Sequence, residues 1–314
     1  MVGTPVTSGR AVDGRTTTTD GVDIAYRDYP TNGGRGDTAV VLLPGIGGNL
    51  EALDEIARQL AGWYRVVSVD PRGIGQSGES ETISTADMAT DVETVVTALG
   101  LSRHAVVGMS LGGLVAGAYG TRHPSVPVVS IDGFAGGVAS VGTAEDQLLL
   151  RRMMDWARIS LRAMTAAPEE GDDGWKERQI RRITADLDAM GYRAAHRQAM
   201  VERSFVSLPD GRWRRHPSSK IVDALDREGY GVEPPGVVTR MFRSCTGPVL
   251  LVVCTRTEWP NLFDAELDDL TANHLNVTVQ RLDLTHTGPV TDGVKPTIAV
   301  LTTFLAQHTG PRHY

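Results

Sequence analysis

Cysteine is nearly absent from this chain: Cys245 and Cys254 are the only two in 314 residues. They match no metal-ligand spacing, so both are expected to be reduced and buried, which fits a reducing cytoplasm. Long apolar runs are missing as well. No segment approaches the length of a membrane span. Residues 1–20 are polar, rich in Thr and Gly, and lack the apolar stretch of a secretory signal, so they are expected to form a loose tail. Positive charge is also in short supply. With 31 Lys and Arg against 38 Asp and Glu, the formal net charge is −7, the wrong sign for the basic face of a nucleic-acid binder. Basic residues gather only locally, at 212–215, as a solvated surface would allow. No cofactor or metal is expected, and the expected partner is a small molecule.

The chain does have enough length and apolar content for a large core. Its 41% hydrophobic and 22% charged residues are ordinary for a globular protein, and 314 residues allow one elaborate domain or two. Strands are expected at 22–29, where apolar and polar residues alternate as on a sheet edge, and at 38–44 and 64–70, which read as buried on both faces. Further strands are expected at 104–109, 126–131, 248–254 and 276–282. Helices are expected at 50–60, 85–99, 111–123, 262–274 and 295–307. This alternation predicts an α/β fold with a mostly parallel central sheet and helices on both faces. Ligands in such sheets bind beyond the carboxyl ends of the strands.

The most informative stretch is Gly108-Met109-Ser110-Leu111-Gly112, set between a β-branched run and a helix-forming segment. A serine hydroxyl is a poor nucleophile unless it projects from a tight turn, near a base and near free backbone N–H groups. Glycines on both sides let strand and helix close around Ser110. The glycine-rich loop Gly45-Ile46-Gly47-Gly48, at another strand end, offers backbone N–H groups as a phosphate cradle or an oxyanion hole would. No Gly-Lys-Ser/Thr follows it, so the oxyanion reading stands. Gly73, Gly75 and Gly78 spell the dinucleotide fingerprint but do not open a helix; the next helix start is Ser84, with Asp87 as its capping partner.

From residue 133 to 243 the sheet pattern stops, and charged helical text takes over. Met153, Met154, Trp156, Ile159, Leu161 and Met164 recur near helical spacing. The segment is expected to be a helical cap over the strand ends, and its Met and Trp side chains are expected to pack within it. His196 and His216 are expected to be surface or packed residues. The sheet then resumes, and its last strand leads into Thr285-His286-Thr287-Gly288.

Together these residues resemble an α/β-hydrolase of the serine-nucleophile kind with a helical cap. Residues 1–132 and 244–314 would be the core and 133–243 the cap, with the resemblance itself covering 21–132 and 244–308. The stretch from Asp70 to Gly78 is similar to the turn after the fourth strand of that family. Pro44 stands where histidine is common in its oxyanion loop. The resemblance implies Ser110 as nucleophile, His286 as base, and the N–H groups of Ile46 and Leu111 as oxyanion donors. For the acid there are two candidates. Glu258 follows the strand that usually supplies it, but the family's aspartate position falls on Thr257. Asp132 ends the strand after the elbow, and it is preferred because it needs no shift in register. The implied activity is hydrolysis of an ester, lactone or thioester of a fairly large apolar molecule. Cleavage of a carbon–carbon bond on the same triad, and ligand binding without turnover, are the alternatives.

Overall fold

Segments such as Ala39-Val40-Val41-Leu42-Leu43 have no polar face to offer water, so they must be covered on both sides. The computed structural model describes residues 10–31, 38–81, 83–133, 143–165, 169–228, 237–257 and 263–309. Among these, eight strands form one sheet. Its spatial order is β1 (Val12–Thr17), β2 (Asp23–Tyr29), β4 (Arg65–Val69), β3 (Ala39–Leu43), β5 (His104–Met109), β6 (Val128–Ile131), β10 (Val249–Cys254) and β11 (Val277–Leu282). β2 runs antiparallel to both β1 and β4, and every pairing from β4 onward is parallel.

Parallel neighbours need crossovers, and helices supply them. α1 (Asp54–Leu60) and α10 (Val294–His308) bury Ile56, Leu60, Leu301 and Leu305 on one face, against Val40, Leu42, Val66 and Val107. α2 (Thr85–Ala98), α3 (Leu111–Arg122) and α9 (Asp264–Asn273) cover the other face, with Met88, Val92, Val115 and Leu267 clustered with Val41, Leu43, Val67 and Val106. Successive strand residues thus serve opposite layers. Each fully buried Val or Leu contributes about 1.5–3 kcal/mol. At the start of α2, the Ser84 hydroxyl accepts from the Asp87 N–H at 3.0 Å, as the capping pattern predicts.

Between β6 and β10 the chain leaves the sheet. The insertion contains α4 (Ala144–Thr165), α5 (Asp173–Ala189), α6 (Ala194–Arg203) and α7 (Ser219–Arg227). It also holds a small antiparallel sheet of β7 (Glu170–Gly171), β9 (Trp213–Arg215) and β8 (Phe205–Ser207). α8 (Val237–Ser244) closes it by packing on α3, where a Cβ at Gly117 would meet Met241 and Phe242.

Several expectations need correction. Residues 12–17 are not a loose tail but strand β1. As the edge of the sheet it stays largely exposed, so it carries polar residues and gives no apolar signal. β2 is consequently an interior strand rather than an edge. The insertion is not purely helical, because strands of two or three residues are too short to show a period. Ile159 is 66% exposed and so does not join an interior stripe; the side chains of Met153, Met154, Trp156 and Met164 lie outside the described set. The basic cluster at 212–215 is not simply solvated. Arg215 is buried, and Arg214 pairs with Glu170 and Glu79.

Candidate active site

The carboxyl ends of β3, β5 and β6 bring three loops together. After β5 the chain turns so sharply that a Cβ at Gly108 would lie 1.9 Å from the Gly112 carbonyl oxygen. A Cβ at Gly112 would lie 2.3 Å from the carbonyl oxygen of Leu43, on the neighbouring strand. Glycine is therefore required at both positions. Ser110, between them, is held at φ 51°, ψ −118°, a region that a side chain adopts only when its surroundings enforce it. Those surroundings are visible: the Ser110 N–H donates to the Ile131 carbonyl at 2.8 Å, and its carbonyl accepts from Gly113 N–H at 2.8 Å.

Asp132 follows β6 directly and also has a positive φ of 49°, which aspartate tolerates better than most residues. Its carboxylate is held from two sides. The Cys254 N–H donates to Oδ1 at 2.9 Å, and His286 Nδ1 lies 2.5 Å from Oδ2. A carboxylate can only accept, so Nδ1 is the donor in this contact, and in a neutral imidazole so bonded Nε2 is the nitrogen that keeps its lone pair. The Asp132 side chain is 10% exposed and that of His286 48%: the acid is shielded and the imidazole open to solvent. Among the described residues, Ser110 Oγ makes no hydrogen bond to His286; such contacts often tighten only with substrate bound.

The loop after β3 completes the arrangement. Gly45 packs so closely on the elbow that a Cβ there would sit 3.1 Å from Ser110 Cβ. The following turn closes with Gly48 N–H donating to the Gly45 carbonyl at 3.1 Å. Among the described residues, the N–H groups of Ile46 and Leu111 have no hydrogen-bond acceptor. Glu258 lies outside the described residues. Thr257, at the position where the usual aspartate would fall, donates its hydroxyl back to the Cys254 carbonyl at 3.4 Å. Burial, reinforced by Asp132, pushes the Cys254 thiol far up; burial alone pushes Cys245 up to about 12. Neither cysteine can supply a thiolate nucleophile at neutral pH.

The glycine-rich loop at 73–78 is filled by protein. The His216 Nδ1 atom donates to the Gly75 carbonyl at 2.9 Å, and the Ser218 N–H to the Gly73 carbonyl at 3.0 Å. Sequence reasoning missed the groups that anchor this region. The fully buried Asp70 carboxylate accepts from the N–H of Leu50 at 2.8 Å, from the N–H of Gln76 at 3.0 Å and from Arg203 Nε at 2.7 Å. An aspartate ending a buried strand is a visible signal. Its arginine partner, 133 positions away, is not.

A family model for the alpha/beta hydrolase fold matches residues 38–252. A pimeloyl-[acyl-carrier protein] methyl ester esterase of Klebsiella pneumoniae (strain 342) is 30% identical over 177 residues, 56% of this chain and 62% of that protein. RutD of Escherichia coli O1:K1, provisionally named a carbamate hydrolase, is 37% identical over 99 residues, 30% of this chain and 37% of its own length. The chain thus spans less than two thirds of either relative. The crystal structure of E-2-(acetamidomethylene)succinate hydrolase superposes with a TM-score of 0.70 at 20% identity, covering 94% of this chain and 99% of that one. A thioesterase domain from the curacin biosynthetic pathway gives 0.67 at 16% identity, with 94% and 100% covered.

Proposed function

This chain belongs to the α/β-hydrolase fold family, and from that premise we propose that it is a serine hydrolase cleaving an ester, lactone or thioester of a fairly large apolar small molecule. The observation that carries this reading is the Asp132–His286 contact of 2.5 Å beside a serine held in a strained turn. In the proposed reaction, Ser110 Oγ attacks the carbonyl carbon while His286 Nε2 takes the hydroxyl proton. Negative charge developing on the carbonyl oxygen is met by the N–H groups of Ile46 and Leu111. A donor in such a hole is worth about 2.7–4 kcal/mol of barrier. The protonated imidazole, stabilised by Asp132, then gives its proton to the leaving group. Water, activated by the same nitrogen, releases the acid from Ser110.

In this reading the insertion is a lid that selects the substrate. Its support is the apolar cluster of Trp175, Leu187, Tyr192, Met200 and Phe205, which is continuous with Leu53 and Val290 of the sheet layer. The test combines a fluorophosphonate probe with p-nitrophenyl esters graded from acetyl to bulky aromatic acyl groups. Wild type should take the label on Ser110 and turn over the larger esters faster, while Ser110→Ala should do neither. Equal labelling of both proteins would remove Ser110 from the mechanism. Ligand-induced stabilisation without turnover would favour a binding protein, and equal rates across the panel would remove selectivity from the lid.

A further inference from the structure

The loop that carries the Ile46 N–H does not rest on the sheet layer alone. Asn49 ends it, is 1% exposed, and faces two ways. Its Oδ1 accepts from the Glu51 N–H at 3.1 Å, capping the 3₁₀ turn Leu50–Leu53. Its Nδ2 donates across to the insertion, to the Met200 carbonyl at 2.8 Å and the Ser204 hydroxyl at 3.3 Å. The carbonyl and the hydroxyl both belong to the end of α6, where Ser204 Oγ itself donates to the Met200 carbonyl at 2.8 Å. A Cβ at Gly48 would come within 3.6 Å of Met200 Cε, so the same turn of α6 also packs on the loop.

A second attachment lies one residue further along. The Leu50 N–H donates to Asp70, and Asp70 is gripped by Arg203, again from the end of α6. Gln76 closes the set by donating to the carbonyls of Arg203 and Phe205 at 2.9 and 2.8 Å. Pulling α6 away would take from the buried Asp70 carboxylate its arginine partner and from the Asn49 Nδ2 group both of its acceptors. Such groups are costly to leave unpaired, so the contact is either made in full or broken. α6 follows α5 through the short link 190–193, and the end of α5 touches the opposite side of the site: the Thr287 hydroxyl, next to His286, donates to the Met190 carbonyl at 3.1 Å.

We propose that Asn49 is a positioning residue: through its amide bond to the Met200 carbonyl it makes the insertion set the position of the oxyanion loop. The insertion then contributes to catalysis as well as to selection, because the Ile46 N–H is aimed correctly only while α6 is seated. The proposal rests on the serine hydrolase reading. Oxyanion donors act by their position relative to a charge present only in the transition state. A shift of about 1 Å at such a loop can cost about 100-fold in rate. The predicted signature is therefore a loss in kcat with little change in KM.

The informative variant is Asn49→Ser. Serine is as good a helix cap as asparagine and keeps the local bond to Glu51, but it is too short to reach Met200. For wild type and variant one would measure kcat and KM on the best p-nitrophenyl ester, the inhibition constant of a trifluoromethyl ketone, and Tm. The ketone forms a hemiketal oxyanion on the serine and so reports on the hole itself. The expected result is a kcat lower by about 10- to 100-fold, ketone affinity weakened by a matching factor, KM within about twofold, and Tm nearly unchanged. Should Asn49→Ser fold poorly, Arg203→Lys and Arg203→Ala test the same linkage from the insertion side. There, lysine should recover part of the kcat and ketone affinity that alanine loses. Unchanged kcat and ketone affinity in a labelled, active background would overturn the proposal alone, as would a loss confined to KM. A wild-type protein that neither takes the fluorophosphonate nor turns over esters would overturn the hydrolase reading beneath it.

Discussion

At the scale of single residues, the site depends on which carboxylate holds His286. Asp132 does so while its other oxygen is occupied by the Cys254 N–H, so its orientation is fixed before any substrate arrives. Replacing it by asparagine keeps the shape but puts an amide where, in the proposed mechanism, a charge stabilises the imidazolium. For Asp132→Asn we expect kcat/KM to fall by about 10⁴, with Tm lowered only modestly. Glu258→Gln should leave kcat/KM within a few-fold of wild type. Steady-state kinetics on both variants, with a thermal melt as control, checks this. A large loss in Glu258→Gln alone would move the acid to that residue.

Among the elements, the tightest constraint is the crossing of β5 into α3. A Cβ at Gly112 would meet the backbone carbonyls of Leu43 and Pro44 at 2.3 and 2.7 Å, and backbone cannot swing aside as a side chain can. Gly112→Ala should therefore destabilise the protein by about 3 kcal/mol, the upper end for overpacking, and should displace the loop bearing Ile46. Gly100 provides the contrast. It has φ +62° but nothing within 4 Å of its Cβ position, so Gly100→Ala carries only the left-handed backbone cost of about 1 kcal/mol and should leave kcat untouched. Urea unfolding of the two variants separates the steric cost from the conformational one.

For the molecule as a whole, the junction between insertion and sheet layer carries a pH dependence. Burial holds the His216 imidazole below the ordinary histidine range; the Gly75 hydrogen bond and Glu79 oppose that shift, as does Asp70, while Arg214 adds to it. The unfolded chain binds a proton at this residue near pH 6.5, where the folded chain does not. Stability from this group is therefore complete above about pH 6.5 and is lost as pH falls below it. The urea midpoint should drop between pH 7.5 and 5.5. In His216→Asn, whose amide can still donate to the Gly75 carbonyl, the drop should shrink. His104, also held low by burial, titrates in the same window, so some of the slope should remain. A slope identical to wild type would assign it elsewhere.

What the sequence determined by itself is whatever short-range rules encode. Apolar runs on both faces dictated a parallel sheet, glycine spacing dictated the turn at Ser110, and Ser84 with Asp87 dictated where α2 begins. Each of these signals lies within a few neighbouring residues, because steric closure and capping act over one turn of chain. The strand β1 escaped such rules because an edge strand needs no apolar face. The contacts that complete the site were decided only by the tertiary structure. His286 meets Asp132 across 154 positions, Arg203 meets Asp70 across 133 and Asn49 meets Met200 across 151. Hydrogen bonds and ion pairs depend on distances of about 3 Å; across such separations those distances arise only from tertiary packing, of neighbouring strand ends in the sheet for Asp132 and His286, and of the insertion on the sheet layer for the other two pairs.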